Sequence, residues 1–359
     1  MRGWQIHSYG DLEELQFSEN MKIPPIRSPN ELLIKVKATG VNPIDVSMLG
    51  GYGSKLINIM RCNQDGIEFP LTLGREFSGV IAQKGLGSKP YFKLGDQVWG
   101  VVPVQRGGSH AEYIVVPDTC VSLQPKELTS TEAGGILYAG LTAWSGIFLT
   151  GALGGISGAW GRPAKPAKGK RVLVLGAAGG VGSAAVQILK NEKASVVASC
   201  ATDAIPIVQS LGANHVIDYT NQEEVDQFAA CGPYEMILDC AGLGSAFANK
   251  FGWKFNSYIT FSSPVLRNVD EYGVPAGMLK NLADIIESNA RSITSNQGIV
   301  KWAYFIPSQA GIQYITNMVE RKKYLPLIDS TFDFDCATEA YKKVKCGHLR
   351  GKVIINIEK

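Results

Sequence analysis

From Glu31 to Pro117 the chain alternates short apolar runs with Gly and Pro: ELLIKVKATGVN, SGVIAQ, DQVWGVV and AEYIVVP. Apolar, β-branched runs closed by turn formers read as strands. The first 130 residues therefore predict a twisted, mostly antiparallel domain rather than alternating strand–helix units. Ala133 to Gly161 then carries no charged residue, long enough on a crude rule to span a bilayer. Nine of those residues are glycine, and Tyr138, Thr142, Ser145, Thr150 and Ser157 interrupt the apolar surface. The better reading is a buried helix from Thr131 to about Leu149, a Gly-rich loop, and a Pro/Lys-rich break at 161–170 (GRPAKPAKGK). No membrane span is expected, and peripheral association stays open.

From Arg171 the pattern changes. RVLVLGAAGGVGSAAVQILK reads strand, glycine turn, helix, and ASVVASC, ANHVIDY, YEMILDC and NSYITFSS follow as apolar runs alternating with helix-length segments. That alternation marks a parallel sheet covered on both faces. KWAYFI (301–306) is a candidate sixth strand. After Pro307 come a helix (Ser308–Lys322), TFDFD, a helix (Cys336–Lys345) and KVIINIE.

A chain of 359 residues allows about two domains. Its 45% hydrophobic and 19% charged content suits a globular protein with a full core. The net charge of +3, on spread lysines, points to neither nucleic acid nor an anionic membrane. Seven cysteines, odd in number and without a C-x-x-C clip, read as reduced thiols in a cytosolic or matrix-like compartment. The opening MRGWQIHSYGDLEEL has no apolar core for a signal peptide and turns acidic by Asp11, unlike a transit peptide. Whether the chain is a processed form stays open.

The strongest local motif is Gly176-Ala177-Ala178-Gly179-Gly180-Val181-Gly182, directly after a strand and opening a helix. Glycines there permit a tight turn and close backbone approach to a pyrophosphate, and the helix N-terminus offers N–H groups to the phosphates. The competing reading is a tight turn with no ligand. NAD sites place Asp or Glu about 20 residues on, at the tip of the second strand, for the ribose 2′-OH. Here that strand ends Ser199-Cys200-Ala201, so a 2′-phosphate meets no repulsion and NADPH is the expected cofactor. Hydroxyls and backbone N–H groups, such as those of Ser199 and Tyr219, would hold the phosphate. Asp203 is expected to cap the next helix.

Thr39-Gly40-Val41-Asn42-Pro43-Ile44-Asp45, then LGREFSG (73–79), LGDQVW (94–99) and LTAW (141–144), precede the glycine turn in that order. These blocks are similar to those of the medium-chain dehydrogenase/reductases, quinone oxidoreductase branch, and the resemblance covers nearly the whole chain. It implies an α/β protein: a Rossmann domain with a doubly wound parallel sheet (141–306) and a mostly-β GroES-like catalytic domain (1–140 and 307–359), with the active site in the cleft between. The family's alcohol-dehydrogenase branch holds catalytic zinc through a Cys near the first block and the His of a Gly-His-Glu block. Here Asn42 and Arg75 stand in those blocks, no four cysteines share a short window, and His7, His110, His215 and His348 are scattered. No metal site is expected.

By resemblance, Asn42 lies beside the nicotinamide ribose, and Tyr52 lines the substrate cleft, one residue nearer Asn42 than in the family pattern. Thr142 lies near the cofactor phosphates. Cofactor contacts extend over Gly176, Ala178, Gly179, Gly180, Val181, Gly182, Ala201, Tyr219, Cys240, Phe261, Phe305, His348, Leu349 and Arg350. Plainer readings stand beside these. Tyr52 packs in a Gly-rich loop, Thr142 is a buried helix hydroxyl, and Tyr219 ends a strand. Phe261 and Phe305 are sheet core, and His348 and Arg350 are a solvated turn. Tyr341-x-x-x-Lys345 matches a short-chain dehydrogenase motif, but the glycine turn comes too late for that family, so 341–345 reads as an exposed helix face.

The resemblance implies an NAD(P)H oxidoreductase passing hydride to a quinone or related conjugated carbonyl, acceptors that need little polarisation. An enoyl-thioester reductase and a non-catalytic NADPH-binding partner protein are the alternatives. It also implies a mitochondrial place in ubiquinone biosynthesis and respiratory function (a cytoplasmic one otherwise) and a reticulon-type partner, and it leaves a homodimer open. No nucleic-acid partner is expected.

Overall fold

The computed structural model describes residues 1–62, 68–153, 167–250 and 252–358. The Gly-rich loop expected before the break, from residue 154 on, and residues 161–166 of the break itself lie outside the described residues. The chain divides into two units. One joins Met1–Tyr138 with Pro307–Lys322 and Ile328–Lys359, and the other joins Ala139–Ile306 with Lys323–Leu327.

The strands in chain order are β1 (Gly3–Gln5), β2 (Gln16–Ser18), β3 (Glu31–Val41), β4 (Glu76–Lys84), β5 (Gln97–Val101), β6 (Tyr113–Pro117) and β7 (Val121–Leu123). Then come β8 (Arg171–Leu175), β9 (Ser195–Cys200), β10 (His215–Asp218), β11 (Tyr234–Asp239), β12 (Phe255–Thr260) and β13 (Ile299–Trp302), with β14 (Ile328–Asp333) and β15 (Lys352–Asn356) closing the chain.

In the first unit β3 is the organiser. It pairs antiparallel with β4 on one side; on the other, its first half pairs with β6 and its last residues with β15. The sheet order is β14-β15-β3-β4-β5-β7. Alternate apolar residues such as Ile34, Val36, Phe77, Val98, Ile114 and Ile355 face one core and are almost fully buried. Each such side chain contributes about 1.5–3 kcal/mol of transfer free energy.

The second unit carries a parallel sheet of order β10-β9-β8-β11-β12-β13, whose sixth strand, Ile299–Trp302, takes in only Lys301 and Trp302 of the expected KWAYFI run. Strand order reverses between β8 and β11, the point at whose carboxyl ends open α/β sheets bind ligands. No helix among the described residues is long and apolar enough to cross a membrane.

Three local expectations are corrected. The predicted helix Thr131–Leu149 is broken: Ser130–Ala133 starts on a Thr129/Glu132 capping box, Gly134-Gly135 interrupts, Leu137–Trp144 resumes, and Ser145–Thr150 winds as a wider π turn. Asp203 is not a cap, since the caps of the Thr202–Ala204 turn and of helix Ile205–Leu211 are Ala201 and Ala204. Residues 341–345 are an exposed face only at Lys342, Lys343 and Lys345. Tyr341 is fully buried on helix Ala337–Cys346, where Ala337, Ala340, Tyr341 and Val344 form an i, i+3, i+4, i+7 stripe.

Candidate active site

The turn after β8 is built to approach a phosphate. Gly176 has φ +74°, open to residues without a Cβ, and a Cβ on Gly182 would stand 2.1 Å from the Gly176 carbonyl oxygen. Gly179 faces open space, with no atom closer than 3.7 Å to where its Cβ would be. Helix Gly180–Asn191 starts on Gly179 with no side-chain cap and no acidic residue in its first turn. Its leading N–H groups and the positive end of its dipole are thus left for an anion. The chain's own residues fit a dinucleotide pyrophosphate.

Around this turn the carboxyl edge of the sheet gathers several expected residues. Ala201 follows β9, Tyr219 follows β10, Cys240 follows β11 and Phe261 follows β12. The Cys240 N–H donates to the Leu175 carbonyl at 3.0 Å, which sets it beside Gly176. Burial and the neighbouring Asp239 carboxylate push the Cys240 thiol well up, which disfavours its thiolate. Phe261 lies against Gly146, one turn beyond the buried Thr142. Phe305 stands past the end of β13, partly exposed. Val181 is half-exposed at the helix start, whereas Ala178 is turned inward.

Ser199 is turned inward. Its buried Oγ accepts from the Gly176 N–H at 3.3 Å and so supports the glycine turn. Tyr219 remains half-exposed. Beside it Asp218, which pairs in register with Cys200, accepts from the Thr202 and Thr220 hydroxyls and the Thr220 N–H. Those hydrogen bonds hold its carboxyl below the usual range.

The first unit holds the other group. Asn42 follows β3 as the N-cap of helix Pro43–Leu49, whose first residue is Pro43, a place where proline's missing N–H costs nothing. Its backbone N–H donates to Asp45 Oδ2 at 2.9 Å, and its Nδ2 donates to Glu76 Oε1 at 2.9 Å. Lys352 Nζ lies 2.9 Å from the same Glu76 oxygen and also donates to Asn42 Oδ1. Gly40 makes the space: a Cβ there would stand 2.3 Å from Glu76 Oε1. Glu76 Oε2 accepts from the Tyr138 N–H.

Arg75, fully buried, faces Asp45 at 3.6 Å and donates to the carbonyls of Pro103, Val104 and Arg106. Burial lowers its proton affinity and Asp45 raises it. Tyr52 sits in the turn between helices Pro43–Leu49 and Ser54–Cys62, its N–H bound to the Ser47 carbonyl at 3.1 Å. His348, Leu349 and Arg350 lead into β15, with His348 exposed at φ +53° and the Arg350 N–H held by Asp329. Among the described residues no three His, Cys, Asp or Glu side chains come together as a metal site. Sequence reasoning missed Glu76 and Lys352. Both lie in quoted or flanking blocks, but only the pairing of β3 with β4 and β15 shows them meeting Asn42.

Residues 28–126 match the family model described as alcohol dehydrogenase GroES-like domain, and residues 211–355 the model described as zinc-binding dehydrogenase. The chain is 51% identical over 359 residues to the Drosophila melanogaster protein named NAD(P)H oxidoreductase RTN4IP1, mitochondrial, covering 99% of this chain and 86% of that one. It is 28% identical to the Arabidopsis thaliana chloroplast envelope quinone oxidoreductase homolog, covering 99% and 98%. Among solved structures, the quinone oxidoreductase of Coxiella burnetii shares the fold, with TM-score 0.75 and 21% identity over 100% of this chain and 99% of that one. The chain combines a GroES-like domain with a Rossmann domain and belongs to the NAD(P)H oxidoreductase RTN4IP1 family of the medium-chain dehydrogenase/reductases, enzymes that use a nicotinamide cofactor.

Proposed function

We propose that the chain is an NADPH-dependent reductase that passes hydride to a quinone or a related conjugated carbonyl without zinc. The observation that carries the reading is the hydrogen-bonded arrangement of Asn42, Glu76 and Lys352, with Arg75 tied to Asp45. Asn42 and Arg75, an amide and a guanidinium, are not among the thiolate, imidazole and carboxylate ligands that zinc takes, and Glu76 is engaged by Asn42 and Lys352. The Arabidopsis relative's name supports a quinone acceptor. Bound reduced nicotinamide supplies the hydride. The glycine turn and helix Gly180–Asn191 hold the pyrophosphate, with Thr142, Ala201, Tyr219, Cys240, Phe261 and Phe305 as further contacts. Asn42 donates a hydrogen bond, and His348, Leu349 and Arg350 are the remaining cofactor contacts. Tyr52 lines the substrate.

Such a site works by orientation, which alone supplies several kcal/mol. We extend to this chain the mitochondrial address in the Drosophila relative's name and a part in ubiquinone biosynthesis. A homodimer and a reticulon-type partner rest on the resemblance, and light scattering and co-purification test them. The function itself is tested by stopped-flow oxidation of bound NADPH against 1,4-benzoquinone, an enoyl thioester, an aldehyde and an alcohol. Quinone turnover is expected, with Tyr52→Phe costing about tenfold or less, well short of the 10²–10⁴ typical of a general acid. Fast alcohol turnover, or no quinone turnover with NADPH bound, rejects the reading.

A further inference from the structure

We infer that Lys352 is a positioning residue that locks the Asn42 amide so that it offers only a hydrogen-bond donor to an oxygen bound beside it. This deepens the proposed function and rests on the role given there to Asn42. The register of β15 on β3 pairs Val353 with Val41, so the next step sets Lys352 opposite Asn42. An ammonium only donates and a carboxylate only accepts. The Lys352 contact must therefore be to the amide oxygen, and the Glu76 contact to the amide nitrogen. The amide cannot flip without setting nitrogen against Lys352 and oxygen against Glu76.

Asn42 Oδ1 is thus occupied and one Nδ2–H is spent on Glu76. The second Nδ2–H has no protein partner among the described residues. Asn42 is 2% exposed, Glu76 0%, and the Lys352 side chain 10%. Burying an ion pair costs desolvation that its own attraction barely repays, so the pair is better explained by the arrangement it imposes than by stability. When hydride adds to a quinone, the electron pair ends as negative charge on a carbonyl oxygen, and water then supplies the proton. A donor polarised by a buried cation and fixed before the charge forms favours that oxygen.

The test uses the full chain and the variants Asn42→Ala, Lys352→Met, Lys352→Arg and the double Asn42→Ala/Lys352→Met. One readout is independent of turnover: the Asn42 side-chain NH₂ pair in ¹⁵N-edited NMR of the cofactor-free protein, identified by its loss in Asn42→Ala. Two well-separated, slowly exchanging proton signals are expected in the parent, kept by Lys352→Arg and lost to exchange in Lys352→Met. The other readout is NADPH oxidation by 1,4-benzoquinone. Lys352→Met should lower kcat by about ten- to a hundredfold with KM for NADPH within about threefold, Lys352→Arg should recover most of it, and the double variant should be no slower than Asn42→Ala alone. Unchanged NH₂ signals in Lys352→Met, or additive losses in the double variant, overturn the inference. A full-rate Asn42→Ala, or no quinone turnover, instead rejects the functional reading, and the NMR arm still decides the role of Lys352. If Lys352→Met does not fold, Lys352→Gln replaces it throughout.

Discussion

The Tyr341 hydroxyl lies 2.8 Å from His110 Nδ1, with both side chains buried. The other ring nitrogen, Nε2, lies 3.3 Å from the Gly40 carbonyl oxygen. A carbonyl only accepts, so Nε2 carries the proton and Nδ1 accepts from the phenol. The helix bearing Tyr341 is thereby fastened through His110 to β3, two residues before Asn42. Tyr341→Phe leaves Nδ1 buried without a donor and should cost about 1–3 kcal/mol. Urea unfolding of the two proteins measures it, and equal midpoints would refute the assignment.

The same pair predicts a pH dependence. Burial holds the His110 imidazole below its ordinary value of 6.5, so the ring is neutral when folded. Below that value the unfolded chain binds the extra proton and the folded one resists it. The His110 contribution is complete above pH 6.5 and is lost as pH falls through and below it. Thermal unfolding from pH 8 to pH 5 should show a fall in Tm that His110→Gln flattens. Parallel profiles for the two proteins would reject the linkage.

Cofactor choice turns on the tip of β9. Cys200 is buried, whereas Ala201 is half-exposed beyond it, so Ala201 is where an acid would meet the ribose. Ala201→Asp should weaken NADPH binding by about 1–3 kcal/mol and spare or improve NADH binding. Fluorescence titration with both cofactors checks this. NADH bound as tightly as NADPH by the unaltered chain would sink the preference itself.

Metal independence is the simplest expectation to check. Protein purified without chelator should carry well under one zinc per chain by elemental analysis, with quinone reduction unaffected by EDTA. Stoichiometric zinc would overturn the reading of Asn42 and Arg75.

Where an element's character is local, the sequence by itself determined it. The glycine turn was legible because Gly176 to Gly182 must satisfy a positive φ and close contacts within a few residues of one another. The central parallel strands β8, β9 and β11 were legible because each is a largely apolar run buried over most of its length. The stripe Ala337, Ala340, Tyr341 and Val344 was also present in the sequence, but the Tyr-x-x-x-Lys spacing drew attention away from it to the exposed lysines of the same helix. Ser199 looked available because its hydroxyl stands at a strand tip, and burial turned it inward to the Gly176 N–H. Nothing local could show that Lys352 meets Asn42 across 310 residues. That meeting is fixed by the register of β15 on β3 and by the space left at Gly40 for Glu76. Propensity chooses an element from its own residues, whereas register is set by packing the whole sheet against its core, and a shift of one residue would turn Lys352 to the opposite face.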